Sequence, residues 1–213
     1  MRKLIASSAL ALAVAAPSLA AAEGLSFSAG ATLATHAVFD GVKATDGLAF
    51  QPWVEGEING FYFGVWASNL SRALTGSKYE VDLYFGYRAE SGPFSYDIGY
   101  ARYTFHSPSA PSSGQFIVNL GYAANEQFDV SVRAAYDPDA DNVNLSGSAA
   151  FKITDKFALD ATVGGISKTG HRYGAIGGTY TVNDSLSLGL HYHDTNTAPG
   201  FLTATADYAF SFR

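Results

Sequence analysis

The sequence contains no cysteine and only one methionine among its 213 residues. The absence of cysteine excludes a disulfide-stapled scaffold, thiolate metal sites and cysteine catalysis. Charged residues are also scarce, at 15%, and they sum to a formal net charge of −6 with no basic tract. Because nucleic acid is bound mainly through neutralisation of its phosphates by Lys and Arg, no nucleic-acid partner is expected. Aromatic residues, at 14%, are too abundant for a disordered chain.

Long apolar runs are missing beyond residue 22, so no membrane-spanning helix is predicted there. Residues 1–22 have the features of a signal peptide, with basic Arg2 and Lys3, an apolar run over 4–16 and small residues before Glu23. We therefore predict a cleaved signal peptide over 1–22 and a single exported domain over 23–213.

The hydrophobic period of this domain is two, which is typical of β-strands with two different faces. Between 78 and 88, for example, apolar side chains alternate with Lys78, Glu80, Asp82 and Arg88. Similar alternation recurs along the chain, in runs close to the 9–11 residues that a tilted strand needs to cross a bilayer. The predicted strands, twelve in number, are 25–39, 48–58, 61–69, 77–89, 94–105, 114–124, 127–136, 142–152, 157–167, 171–181, 186–194 and 201–212.

The connections between these strands form two alternating sets. Tight turns are predicted at 59–60, 90–93, 125–126, 154–156 and 183–185. Longer loops are predicted at 40–47, 70–76, 106–113, 137–141, 168–170 and 194–200. Short turns at one end and longer loops at the other are typical of outer-membrane barrels, with both termini on the periplasmic side. No predicted loop exceeds about eight residues, so neither a plug nor a long folded constriction is expected.

Charge is confined almost entirely to one strand face. Arg102 is the only charge predicted on the apolar face, where it would either meet lipid phosphate or be turned inward by a bulge. Lys78 and Lys152 belong to the opposite, charged face. The residues predicted to line the lumen are Glu55, Glu57, Glu80, Asp82, Arg88, Asp97, Asp129, Arg133, Asp160, Arg172 and Asp207. Glu80, Asp82 and Asp97 are expected to form one like-charged patch.

Twelve apolar strand faces would overfill the interior of a soluble barrel, whereas lipid can cover them all. The pattern therefore favours an all-β fold, a transmembrane antiparallel β-barrel of about twelve strands with short periplasmic turns and longer extracellular loops. A soluble sandwich or lipocalin-like barrel is the alternative.

No phosphate-binding glycine loop, zinc spacing or nucleophile elbow occurs, so neither a cofactor nor enzyme activity is predicted. His191 and His193 share one strand face and are weak candidates for metal ligands. A membrane-embedded hydrolase would need a serine beside a histidine. Ser187 lies too far along the strand from His191, which leaves only a partner from another strand.

Three segments carry a family resemblance, namely 60–69 (GFYFGVWASN), 79–87 (YEVDLYFGY) and 94–100 (FSYDIGY). Together they resemble the proteobacterial outer-membrane porin family labelled Gcw_chp, or TorF-type, over residues 32–105. The resemblance implies a barrel and a pore, and it carries no catalytic residue. At the other end of the chain, the alternating aromatics of 201–212 resemble the signal read by the outer-membrane assembly machinery, although Arg213 follows the last of them.

We therefore expect an exported protein of the Gram-negative cell outer membrane whose partners are outer-membrane lipid, the assembly machinery and small polar solutes. The expected function is a porin-like channel for small polar solutes or ions. Eight acidic residues against five basic ones on the charged face predict a weak cation preference. The alternative is a non-conducting structural or surface-interaction barrel.

Overall fold

The structure is a computed structural model that describes residues 24–107 and 112–212. The predicted signal peptide and Arg213 lie outside the described residues. The elements are β1 (Ser26–Ala34), β2 (Val38–Phe39), β3 (Val42–Lys43), β4 (Ala49–Ile58), β5 (Phe61–Asn69), α1 (Arg72–Thr75), β6 (Tyr79–Ser91), β7 (Phe94–Phe105), β8 (Ser113–Ala123), β9 (Phe128–Asp137), β10 (Asn142–Thr154), β11 (Phe157–Ile166), β12 (His171–Asn183), β13 (Leu186–Thr195) and β14 (Phe201–Phe212). Within the described residues, no helix is long and apolar enough to cross a membrane.

β1 and β4 to β14 form a closed antiparallel barrel. β1 closes it by pairing with β14 on one side and β4 on the other, with Phe27 opposite Phe212 and Ala34 opposite Ala49. The predicted barrel of twelve strands is thereby confirmed. All predicted strand bounds but one lie within two residues of the observed bounds. The exception is the first strand, which was predicted to reach residue 39 but ends at Ala34.

The strand register assigns each side chain to the inside or the outside of the barrel, because directly opposed residues point to the same face. The outer face carries exposed apolar side chains along every strand, such as Phe61, Phe85, Ile98 and Leu202. Large exposed apolar surfaces on a closed barrel are typical of a lipid-facing exterior.

The register corrects the predicted positions of two basic residues, Arg172 and Lys78, and decides between the two alternatives for Arg102. Arg172 is opposite Gly165 on the outer face near one end of β12, not in the lumen as predicted. Lys78 precedes β6 and is exposed, so it is not a residue of the barrel wall. Arg102 does lie on the outer face, opposite Leu83 and without a bulge, and its guanidinium is 3.8 Å from Asp139. Arg102 is therefore not alone on the outer face, because Arg172 shares it.

The barrel has two different ends. At the turn end, strands are joined by tight connections such as Asn59-Gly60, where both residues have positive φ. At the loop end lie the longer connections, including 35–48 between β1 and β4 and 70–78 between β5 and β6. α1 lies in the second of these loops.

Candidate functional site

The first loop contains a small hairpin that the sequence analysis did not predict. β2 and β3 are joined by Asp40 and Gly41, which have φ angles of 49° and 77°. Two consecutive residues with positive φ are characteristic of a type I′ turn, for which Asp-Gly is a favoured sequence. The signal was therefore present in the sequence, as a two-residue turn between Val38-Phe39 and Val42-Lys43.

This hairpin folds into the barrel instead of projecting away from it. The Asn144 side chain on β10 donates a 2.8 Å hydrogen bond to the Asp40 carboxylate, and Nε2 of His171 on β12 is 2.8 Å from the Asp40 backbone oxygen. β10 lies half-way around the barrel from the β1–β4 pair from which the loop leaves. The loop therefore folds inward across the mouth, which the expectation of neither a plug nor a long folded constriction did not include.

Apolar contacts reinforce this closure. Phe39 is 2% exposed and packs its ring edge-on against Trp66 of the wall, with ring centres 6.1 Å apart. The second loop covers the first from the side, because the Ser71 backbone N–H donates to the Ala44 oxygen at 2.8 Å and the Ser71 hydroxyl contacts Asp46. A small buried cluster joins the two loops to the barrel rim: Ala34, Ala37, Phe39, Ala44, Ala49 and Leu70.

Buried ionisable groups lie in the loop-end half of the lumen, on the wall beside the hairpin. Glu80 and Asp82 are 0% exposed and are neighbours on the inner face of β6. Tyr103, opposite Asp82, is within electrostatic range of Arg133, Asp82, Glu80 and Asp40, and its hydroxyl donates to Gln115 at 3.0 Å. Burial raises the pKa of the Asp40 carboxyl, which belongs to the hairpin and not to a barrel strand, and the Asn144 hydrogen bond and the Arg133 charge oppose that rise.

Several of these buried polar atoms have no hydrogen-bond partner among the described residues. They are Oδ2 of Asp40, Nε2 of Gln115, Nη2 of Arg133 and Oγ1 of Thr203. Buried polar groups are normally satisfied by protein or by ordered water. They are concentrated on the inner face of the loop-end half, behind the hairpin.

The turn-end half of the lumen contains a different, more exposed network around Arg88. Its guanidinium is 2.6 Å from Glu55, 3.5 Å from Glu57 and 4.0 Å from the centre of the Tyr62 ring. Asp97 is directly opposite Arg88 in the register and accepts a 2.6 Å hydrogen bond from Tyr62. Asp97 therefore belongs with Arg88, which corrects the prediction that it shares one like-charged patch with Glu80 and Asp82.

His191 is paired with a carboxylate two strands away. Its Nε2 lies 3.0 Å from both oxygens of Asp160 on β11, across Gly177 of the intervening strand β12. His193 stacks on Phe201 instead, with ring centres 5.3 Å apart. Within 24–107 and 112–212, no group of three or more histidines and carboxylates is placed to hold a metal ion.

The same arrangement, in which a side chain crosses a glycine to reach a residue two strands away, recurs elsewhere on the inner face. A long side chain lies across a glycine on the next strand and reaches a polar group on the strand beyond it. A Cβ added to the intervening glycine would approach the crossing side chain to 2.3–2.4 Å, which is too close for real atoms. The instances are Tyr62 across Gly86 to Asp97, Tyr173 across Gly164 to Asn144, and His191 across Gly177 to Asp160.

The remaining predicted lining residues lie on the inner face of the turn-end half. Asp207 accepts hydrogen bonds from the hydroxyls of Thr32 and Thr205. Asp129 is opposite Ala150. Lys152 is opposite Ala158, and its side chain is exposed. Whether these inner-face residues line a conducting path stays a prediction.

The chain forms a closed twelve-stranded antiparallel barrel with an apolar exterior and a charged inner face, and solved structures share this fold. The structure described as "KdgM porin" aligns with a TM-score of 0.67 at 10% identity, over 87% of this chain and 99% of that one. "KdgM porin in complex with disordered oligogalacturonate" aligns with a TM-score of 0.61 at 8% identity, over 88% and 98%. "NanC porin structure in rhombohedral crystal form" gives 0.52 at 13% identity, over 89% and 100%.

The chain belongs to the family described as "Bacterial protein of unknown function (Gcw_chp)", whose model matches residues 18–212. The predicted family is thereby confirmed, and the match extends well beyond the 32–105 segment in which the resemblance was noted. No curated protein matches the chain significantly in sequence.

Proposed function

We propose that the protein is an outer-membrane channel for small polar solutes or ions, with a weak preference for cations. One observation carries this proposal: acidic side chains outnumber basic ones on the inner face of a closed barrel whose turn-end half is accessible to water. The inner-face basic residues within barrel strands are Arg88, Arg133 and Lys152, since Arg172 and Lys78 do not face the lumen. Glu90 and Asp137 add to the acidic residues predicted there.

An excess of negative charge on the walls of a narrow passage concentrates cations and repels anions. The solutes proposed are therefore small cations and neutral polar molecules. An acidic polymer such as oligogalacturonate, the ligand named for one structural neighbour, would meet repulsive walls in this lumen.

Conductance of the refolded protein in a planar bilayer tests the proposal, with the reversal potential measured across a KCl gradient. We expect discrete conductance steps and a reversal potential that indicates cation preference. That preference should weaken in concentrated salt, because the screening length is only about 10 Å at 0.1 M and shorter above it. Anion selectivity of the unmodified protein would contradict the charge argument.

The second candidate is a non-conducting structural or surface-interaction barrel. The hairpin that closes the loop end and the ion-paired Arg88 network favour it, since both occupy lumen space. Absence of conductance steps at any voltage, from protein shown to be folded, would select this alternative. In either case the barrel is proposed to perform no chemistry, with His191 held by Asp160 instead of activating a hydroxyl.

Membrane placement is part of the proposal. Outer-membrane lipid would contact the apolar exterior, export would use the signal peptide at 1–22, and the assembly machinery would read 201–212. Tight turns would face the periplasm and loops the cell exterior. A protease added to intact cells should then cleave within 106–113 and spare Asn125-Glu126, and the reverse pattern would invert the topology.

A further inference from the structure

We infer that the hairpin formed by β2 and β3 is the constriction of this channel, and that the hydrogen bond between Asp40 and Asn144 is the contact that holds it shut. The inference rests on the proposed channel function and adds to it the element and the residues that determine which solutes pass.

The hairpin can move without breaking the barrel. Its backbone pairing is internal, with Val38 opposite Lys43 and Phe39 opposite Val42, and it forms a sheet separate from the barrel. At its base, Ala34 and Ala49 are still paired in the barrel wall. The loop is therefore attached to the barrel wall at its base, on one side of the mouth, while its β2–β3 hairpin is not part of the wall.

Side chains at the tip supply the polar attachment to the far wall. The Asp40 carboxylate accepts the Asn144 hydrogen bond, and its backbone oxygen meets His171. Nζ of Lys43 makes a different contact, 4.6 Å from the centre of the Phe201 ring on β14, the strand beside β1. Asn144 is itself held in place, because its carbonyl oxygen accepts a 2.8 Å hydrogen bond from Tyr173. Asp40 and Asn144 thus form a specific contact between the hairpin, which is not part of the barrel, and the barrel wall.

The lining behind the hairpin gives a reason for the loop to open. Nε2 of Gln115 and Oδ2 of Asp40 have no hydrogen-bond partner among the described residues, although both side chains are buried. Burial of polar groups without hydrogen-bond partners costs free energy. The closed arrangement has this cost, whereas water would satisfy the same groups if the hairpin were open. The closed arrangement is therefore opposed by its own lining, while the tip contacts and the buried apolar cluster around Phe39 favour it.

Asp40→Ala and Asn144→Ala test the contact directly in planar bilayers. Loss of a charge-assisted hydrogen bond should raise the open fraction about tenfold relative to the unmodified protein. Asp141→Ala is the matched control, because Asp141 pairs with Lys168 between two other loops of the same rim and does not touch the hairpin. It should leave the open fraction unchanged.

Reversible cross-linking provides an independent test, since the chain contains no cysteine of its own. In Asp40→Cys/Asn144→Cys, a short bis-thiosulfonate reagent should reduce conductance to a small residual level, and a reducing agent should restore it. In the control pair Asp141→Cys/Lys168→Cys, the same reagent should have no effect. Resistance of each variant to SDS without heating verifies that the barrel is assembled.

The outcomes separate this inference from the proposed function. If the unmodified protein conducts, and neither the alanine variants nor the cross-link alters conductance, the constriction lies elsewhere and the inference is overturned. If the unmodified protein is silent but Asp40→Ala conducts, the hairpin is the constriction and the barrel is not an open channel in its native state. If neither the unmodified protein nor Asp40→Ala conducts although both are assembled, the proposed channel function and this inference are both refuted.

Discussion

The two halves of the lumen are built from the same strands but differ in accessibility and charge pairing. On β6, Glu80 and Asp82 at the loop end are 0% exposed, whereas the Arg88 side chain nearer the turn end is 32% exposed. Arg88 is paired with the carboxylates of Glu55 and Glu57, whereas the neighbour of Asp82 is a second carboxyl group, that of Glu80. Strand parity determines which side chains face the lumen, and the loops determine which of those are buried.

This difference gives the two halves separate roles in the proposed channel. The loop-end half, closed by the hairpin, would determine the size of solute that passes. The turn-end half, with accessible carboxylates, would determine the sign of the ions that enter. Four predictions test this division, starting with the largest expected effect.

Removal of the hairpin should make the loop end as accessible as the turn end. The Ala44 backbone N–H donates to the Ala37 oxygen at 2.8 Å, which is the pairing that closes a two-residue turn. Replacement of residues 38–43 by Asn-Gly should therefore leave β1 and β4 intact. We expect a several-fold rise in conductance and the admission of larger neutral sugars in liposome-swelling assays. An unchanged size limit would show that the hairpin does not restrict passage.

Ion preference should depend on the turn-end half. Asp129, Asp160 and Asp207 lie on its inner face. Their joint replacement by Asn should move the reversal potential in a KCl gradient clearly toward zero, because the walls then attract cations less. Glu80→Gln/Asp82→Asn should move it less, since these two groups are inaccessible. A larger effect of the buried pair would reverse the proposed division.

A control for this measurement comes from carboxylates outside the lumen. Glu126, Asp155 and Asp184 lie in connections at the same end of the barrel and are exposed. Their joint neutralisation alters the net charge of the chain by the same amount as the lumen variant. A matching shift in reversal potential would assign the preference to the rim and not to the lumen walls.

The strands were predictable because alternation is a local property of the sequence. A period of two assigns every residue of a strand to one face, so Glu55 and Asp97 could be placed inside without knowledge of their neighbours. The same rule gave the wrong face for Arg172. In β12 the side chain of His171 faces the lumen, so that of the next residue, Arg172, faces outward. An error of one residue in phase moves a side chain from lumen to exterior.

The hairpin and the cross-strand pairs were not predictable in the same way. Asp40-Gly41 indicates a turn, but no local signal states that the turn is packed against β10 and β12. Likewise, the Asp160–His191 pair depends on the order of three strands and on the absence of a side chain at Gly177. These are contacts between residues distant in sequence, which only the closed barrel brings together.

Glycine substitutions test how the inner-face network is held. A Cβ at Gly177 would lie 2.3 Å from the His191 ring, whereas a Cβ at Gly147 meets its nearest atom at 3.8 Å. Gly177→Val should displace His191 from Asp160 and lower the free energy of unfolding by about 1–3 kcal/mol, the usual cost of overpacking. Denaturant unfolding of the barrel in detergent measures this cost. Gly147→Val, a strand glycine with free space, should cause little loss, and equal losses would contradict the steric explanation.

The smallest expected effect concerns pH and the hairpin. Burial raises the pKa of Asp40 above its ordinary value of 3.8, so the inserted hairpin binds a proton more tightly than a lifted, hydrated one. The protonated carboxyl of Asp40 therefore stabilises the closed arrangement. This stabilisation is fully present below the ordinary pKa of the carboxyl, and it is lost as the pH rises through the raised pKa of the closed arrangement. Arg133 on β9 and His171 on β12 face Asp40, and their charges limit the rise. We therefore expect the open fraction to fall modestly as pH is lowered from neutral.

Asp40→Asn separates this effect from the hydrogen bond itself. The amide can still accept the Asn144 hydrogen bond through its oxygen but carries no charge, so it imitates the protonated carboxyl. The variant should stay in the low-conductance arrangement at neutral pH and lose the dependence on acid, in contrast to Asp40→Ala, which should open. Asp141→Asn is the control, because the Lys168 hydrogen bond lowers the pKa of Asp141 and that carboxyl lies outside the lumen. If Asp40→Asn retained the acid response, the titrating group would have to be another residue, and the explanation from Asp40 would be wrong.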